Sequence, residues 1–223
     1  MTSTPKSSAK AKKTPTTGEP ARILLALPLT GELPSPEHVG RLVAETEIPS
    51  VLLTLADSAN HNAADLKPLV AVLQHNHTAV LIGDNVELAT DVSADGVHLS
   101  RSLNPEDEVL ARYSKAREAL GPNAIVGVEA GPSRHDAMTL GEAGADYVAF
   151  NATGDEAQEL ISWWAEIFEP PVVALGVSDV DEACELASIG ADFVELTLPT
   201  GLSPADELDW LNKANAALAT IRD

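Results

Sequence analysis

Short runs of aliphatic and β-branched residues recur along this chain, and between them lie longer stretches with apolar positions at helical spacing. The runs are RILLAL (22–27), SVLLTL (50–55), AVLIG (79–83), DGVHL (95–99), AIVGV (124–128), DYVAF (146–150), VVALG (172–176) and DFVEL (192–196). Brief, nearly continuous apolar runs alternating with amphipathic segments predict parallel strands covered by helices. Helix boundaries are marked locally. Ser35-Pro36, Asn104-Pro105 and Ser203-Pro204 each set a capping side chain before a proline suited to the first helical turn. Gly121, Gly144 and Gly190 fall where helices should stop.

The segments SADGVHL, GADYVAF and GADFVEL repeat one design: a helix end, an aspartate at the strand entry, then an alternating strand. Their aspartates, Asp95, Asp146 and Asp192, are expected at the N-terminal ends of strands, which in a barrel is the face of stability rather than catalysis. Eight strand–helix pairs after residue 20 predict a compact (β/α)8 TIM barrel over residues 21–223. A doubly wound open sheet is the alternative, but LPLTGELPSP after the first strand is not a dinucleotide-binding turn.

Composition changes this picture mainly at the ends and the surface. The first twenty residues hold Lys6, Lys10, Lys12 and Lys13 with Ser, Thr and Pro and almost nothing apolar, so they are expected to form a disordered basic tail. The whole chain carries a formal charge of −20, and since the tail is basic the barrel itself is more acidic still. Such a surface repels nucleic acid and anionic membrane, so neither is an expected partner. Ile23–Leu29 follows a basic region as a signal peptide would, but it is short and lacks a small-residue cleavage site. No run approaches membrane-spanning length, and the expected location is the cytoplasm. Cys184 excludes an intrachain disulfide and reads as core filler. The adjacent Trp163 and Trp164 cannot both face one core from a single helix, and they suggest a homo-oligomer contact.

In a barrel, functional groups follow the strands' C-terminal ends. That rule nominates Asp57 and His61, Asp84 and Asn85, His98 to Arg101, Glu129, Asn151 and Thr153, Ser178 and Asp179, and Glu195 and Thr197. The set is mostly acidic. Asp57, Asp84, Glu129 and Glu195 could converge on a metal or an amine-bearing ligand if their side chains point inward. His98 has two readings, a hydrogen bond inside the barrel or a ligand contact.

From about Ala79 to Leu196 the chain resembles the thiamine phosphate synthases and their thiazole tautomerase relatives, which are small (β/α)8 barrels. The resemblance rests on VLIGDNVELATDVSADGVHLS, followed in order by AIVGVEA, AGADYVAF, PPVVALGV and GADFVEL. It implies a transferase of thiamine biosynthesis that couples an aminopyrimidine pyrophosphate to a thiazole phosphate with Mg2+, hence phosphorylated heterocyclic ligands. In that frame Asp84 is the metal ligand, with Asp84, His98 and Arg101 as catalytic candidates. Asp57, Glu129, Asn151, Thr153, Gly176, Glu195 and Thr197 are then the substrate-binding candidates.

Against the family pattern, however, strand 2 reads Leu53-Thr54-Leu55-Ala56-Asp57 where Gln, Arg and Lys are expected. Strand 4 runs into Ser100-Arg101-Ser102-Leu103 and loses a second metal carboxylate, for which Asp107 is the nearest replacement. Glu129-Ala130-Gly131 replaces Ser-x-His, and Asn151-Ala152-Thr153-Gly154 replaces a longer, lysine-bearing loop. Gly176-Val177 stands for Gly-Gly, and Glu195-Leu196-Thr197 for a small-residue phosphate cradle. The expectation is therefore weak, altered or absent synthase activity, with a pseudoenzyme, a scaffold or an acidic-rim binder as alternatives.

Overall fold

The computed structural model describes residues 19–55, 61–102 and 108–221. Within them eight parallel strands alternate with eight helices and close in chain order into a barrel. The strands are β1 (Arg22–Leu29), β2 (Ser50–Leu55), β3 (Ala79–Gly83), β4 (Gly96–Leu99), β5 (Ile125–Glu129), β6 (Tyr147–Asn151), β7 (Val172–Leu175) and β8 (Phe193–Thr197). The helices are α1 (Pro36–Thr46), α2 (Ala63–His75), α3 (Val86–Val92), α4 (Val109–Leu120), α5 (Arg134–Ala143), α6 (Asp155–Ile167), α7 (Val180–Ser188) and α8 (Pro204–Ala219). The expected TIM barrel is present, and each strand lies within two residues of its expected bounds.

Ser35 and Ser203 cap α1 and α8 ahead of their prolines, and Gly121 and Gly144 end α4 and α5. The Asn104-Pro105 cap and most of the expected basic tail lie outside the described residues.

Strand alternation builds two cores. Val51, Leu53, Val80, Ile82, Val97, Val126 and Val128 face outward and pack beneath the helices. The intervening positions face inward, where Leu24, Leu52, Leu81, Tyr147, Ala149 and Val173 fill the barrel's lower interior with Ile125 and Phe193, and Leu175 carries this set to the end of β7, level with Asn151. Tyr147 reaches across its neighbour on β5. A Cβ on Gly127 would fall within the Tyr147 ring, so this glycine supplies the space that the ring occupies.

The three repeats act alike. Asp95, Asp146 and Asp192 accept hydrogen bonds from the backbone N–H groups of Val80, Val126 and Val172, at 2.7, 2.7 and 2.9 Å. Each aspartate's own N–H donates back to the carbonyl of the same valine. A two-point clamp therefore ties the entry of β4, β6 and β8 to the start of the preceding strand. Asp146 also pairs with Arg117 of α4. These aspartates belong to the face opposite the candidate site, as their position in the repeat implies.

Trp164 is wholly buried, with its indole N–H donating to the Pro170 carbonyl at 2.8 Å and its rings stacked on Phe168. Trp163 is half-buried, with the Arg134 guanidinium 5.0 Å from its ring centre. The tryptophan pair thus divides between the core and a covered surface position. Cys184 is partly buried against the core, which raises its thiol pKa. Among the described residues, no helix is long and apolar enough to cross a membrane.

Replacing Gly127 by alanine forces either the Tyr147 ring or β5 to move. Urea unfolding should show a loss of about 1–3 kcal/mol; an unchanged midpoint would mean that Tyr147 does not need this space.

Candidate functional site at the barrel's C-terminal rim

The inward positions that hold aliphatic residues lower in the barrel hold polar residues near its C-terminal mouth. His98 of β4, Glu129 of β5, Asn151 of β6, and Glu195 and Thr197 of β8 all continue the inward alternation. Asp84 directly follows β3, while Ser100 and Arg101 follow β4. Asp57 lies outside the described residues, as does Asp107. Of the other rim nominees, His61 bonds the Gly31 carbonyl at 2.7 Å, and Asn85 and Asp179 cap α3 and α7.

His98 forms the floor. It is 3% exposed, its Nδ1 lies 2.8 Å from the Tyr147 hydroxyl, and the two rings stack with centres 5.8 Å apart. Burial lowers its pKa to about 4; the Asp84 charge opposes this shift and Arg112 adds to it. The imidazole is therefore neutral at physiological pH. Burial, followed by the charges of Glu195 and Asp146, holds the Tyr147 phenol well above its ordinary value, so the hydroxyl keeps its proton. The interior hydrogen bond, one of the two readings of His98, is the arrangement observed.

Above this floor, most polar groups are engaged by other parts of the rim. The Glu195 carboxylate accepts the Gly176 N–H at 2.7 Å. Burial raises the Glu195 pKa, the Gly176 hydrogen bond opposes the shift, and the nearby charge of Glu129 reinforces it. Two residues on, the Ser178 N–H and hydroxyl both donate to Glu182 of α7, each at 2.7 Å. The loop after β7 thus has two backbone donors of the kind that hold phosphate in other proteins, and each meets a carboxylate of this chain. Glu129 accepts the Arg101 N–H at 2.9 Å, and the Asn151 side chain accepts from the Thr153 N–H at 3.0 Å.

Asp84 is similarly engaged. Its Oδ1 accepts the Ser100 N–H at 2.9 Å and the Arg112 guanidinium at 2.9 Å. Arg112, on α4, also donates to the Ser100 carbonyl at 2.5 Å. Sequence reasoning did not select Arg112, because it lies inside a helix rather than at a strand end.

Among the described residues the rim gathers no set of carboxylates for the magnesium that the family resemblance implies, while Asp57, Glu106 and Asp107 lie outside them. Asp84 offers one carboxylate, already facing a guanidinium, and the loop after β4 supplies no second acid at residues 100–102. Among the described residues, no group of three or more His, Cys, Asp or Glu could hold a metal ion together.

Two cavities open at this rim and share Arg101 and Glu129. One, of about 390 Å³, is bounded by Phe150, Asn151, Thr153 and Leu160 toward α6. The other, of about 440 Å³, lies toward α4 and α5 and includes Arg112 and His135. Each is large enough for a small heterocyclic ligand.

The fold and rim together define a small (β/α)8 barrel with candidate ligand cavities at its C-terminal face. The chain belongs to the thiamine monophosphate synthase family, whose signature matches residues 43–197. It is 40% identical over 149 residues to the thiamine-phosphate synthase of Erythrobacter litoralis, a match covering 61% of this chain and 67% of that protein. The thiamine-phosphate synthase of Rhodospirillum centenum is 41% identical over 138 residues, with 58% of this chain and 62% of that protein covered. The chain thus spans about three fifths to two thirds of the length of these relatives.

Among solved structures, thiamine phosphate pyrophosphorylase from Pyrococcus furiosus superposes with a TM-score of 0.68 at 22% identity, covering 89% of this chain and 96% of that one. The (S)-3-O-geranylgeranylglyceryl phosphate synthase from Thermoplasma acidophilum gives 0.62 at 15% identity, covering 89% and 94%. At these identities the two structures establish the shared fold alone.

The neutral His98 gives a signed pH prediction. Above pH 6.5 the ring is neutral in both folded and unfolded chains, so its shift contributes nothing. Between pH 6.5 and about 4 the unfolded chain takes up a proton that the folded chain refuses, so stability falls as pH falls. This component amounts to about 3 kcal/mol. Urea unfolding of wild type and His98→Asn at both ends of that window should show a shallower decline in the variant; parallel declines would contradict the assignment.

Proposed function

We propose that this barrel binds a phosphorylated heterocycle of thiamine biosynthesis at its C-terminal rim. Its coupling of aminopyrimidine pyrophosphate to thiazole phosphate is weak or absent. Family membership supports the ligand class. The observation that carries the reduced activity is the Glu195 carboxylate on the Gly176 N–H, 2.7 Å away. A ligand phosphate seeking that amide must displace a carboxylate and then lie beside its charge. The Ser178 amide presents the same obstacle through Glu182.

The retained chemistry is binding and orientation. Asn151 and Thr153 face the smaller cavity and can meet ring nitrogens and amino groups, while Arg101 provides a guanidinium at its edge. His98, neutral and bonded to Tyr147, closes the floor and holds no proton that it could readily supply as an acid near neutral pH. Loss of one preorganised charge-stabilising donor typically costs about 10²–10³ in rate. With two amides occupied, turnover should fall at least that far below the relatives' level.

The direct test is thiamine phosphate formation from the two substrates, run beside the Rhodospirillum centenum relative. Turnover about 10²-fold or more below that relative is expected, and comparable turnover would contradict the proposal. In a paired binding experiment, Glu195→Ala should tighten thiazole phosphate binding by about tenfold or more, because it releases the Gly176 amide for a charge-assisted hydrogen bond. Unchanged or weaker binding would show that Glu195 does not compete with phosphate.

A further inference from the structure

We infer that Arg112, rather than a divalent cation, supplies the counter-charge for a phosphoryl group at this rim, with Asp84 acting as its positioning residue. This rests on the phosphorylated-ligand reading above, but not on its rate. Asp84, Ser100 and Arg112 form a closed ring of hydrogen bonds: the Ser100 N–H and Arg112 Nη2 both reach Asp84 Oδ1 at 2.9 Å, and Arg112 Nη1 reaches the Ser100 carbonyl at 2.5 Å. The ring links the ends of β3 and β4 to α4 and fixes the guanidinium plane. A guanidinium carries five N–H donors in a rigid fork, and these two bonds use one on each terminal nitrogen.

Arg112 borders the 440 Å³ cavity together with Arg101. The Arg101 side chain lies close over Gly131, where a Cβ would sit 2.7 Å from its Cδ and 2.8 Å from its Nη1. Gly131, which lines the 390 Å³ cavity, makes room for the Arg101 guanidinium there, so that Arg101 borders both cavities. Both arginines line the 440 Å³ cavity, and a guanidinium fork matches the geometry of phosphate oxygens. Glu108, Glu129 and Asp136 share the lining, so the cavity does not draw anions from a distance. The same acids favour a ligand whose other end carries amino or ring N–H donors. The ligand class is thus a phosphorylated, nitrogen-rich heterocycle, held without metal.

Inorganic pyrophosphate titrated calorimetrically into the full chain, with magnesium and then with a chelator, tests this apart from turnover. The expected result is binding in both conditions, equal within about twofold. In Arg112→Met it should weaken about tenfold or more, the scale of a lost hydrogen bond to a charged group. Arg112→Lys, which keeps the charge but not the fork, should recover part of the loss. Magnesium-dependent binding, binding indifferent to Arg112→Met, or no binding in either condition would each overturn the inference. The magnesium comparison uses wild type alone, so it stands even if Arg112→Met fails to fold. Poor turnover accompanied by metal-free pyrophosphate binding would leave both readings intact, whereas good turnover that requires magnesium would remove both.

Discussion

An inward-facing strand position near the mouth of a small barrel is partly shut off from water, so any polar group there needs a partner within the wall. That constraint organises the rim. His98 turns to Tyr147, Glu195 to the Gly176 amide and Glu129 to the Arg101 amide, while Asp84, exposed just past β3, accepts from Ser100 and Arg112. Once the chain carries carboxylates at these positions, the nearby donors have partners of their own. A ligand entering the rim must offer more than the carboxylate it displaces.

The same satisfaction of polar groups serves two different ends of the barrel. At the N-terminal face, the repeated aspartates clamp successive strand starts and contribute to closure. At the C-terminal face, carboxylates occupy loop amides and guanidinium groups. The first use lies opposite the site, whereas the second occupies donors within it. The aspartate clamps and the alternating core hold the barrel independently of the strand-end residues, so the proposed change of rim chemistry is compatible with family membership.

Most of the fold was legible in the sequence because it rests on local periodicity. Eight apolar runs became eight strands, and serine–proline pairs became helix starts. The repeated aspartates were legible as structural because the pattern placed them before the strands. The rim was legible only as a set of candidates. That Glu195 and Gly176 meet depends on neighbouring strands, and Arg112 reaches Asp84 from a helix in a different strand–helix unit. The Tyr147–His98 pair was hidden for a similar reason: it forms because Gly127, between them in the sheet, lacks a side chain. Such long-range pairings leave no periodic trace. Gly176 and Glu195 were candidates from the sequence, but the hydrogen bond joining them left no sign there.

The central claim is that Glu195 holds the Gly176 amide against a ligand phosphate. The most direct measurement is the ¹⁵N–¹H signal of Gly176, followed as thiazole phosphate is added near neutral pH and then as the free protein is acidified. The account predicts little movement with the ligand and a clear shift as Glu195 takes up its proton, at a pH above the ordinary carboxylate range. A saturating shift of Gly176 with thiazole phosphate at neutral pH would contradict it.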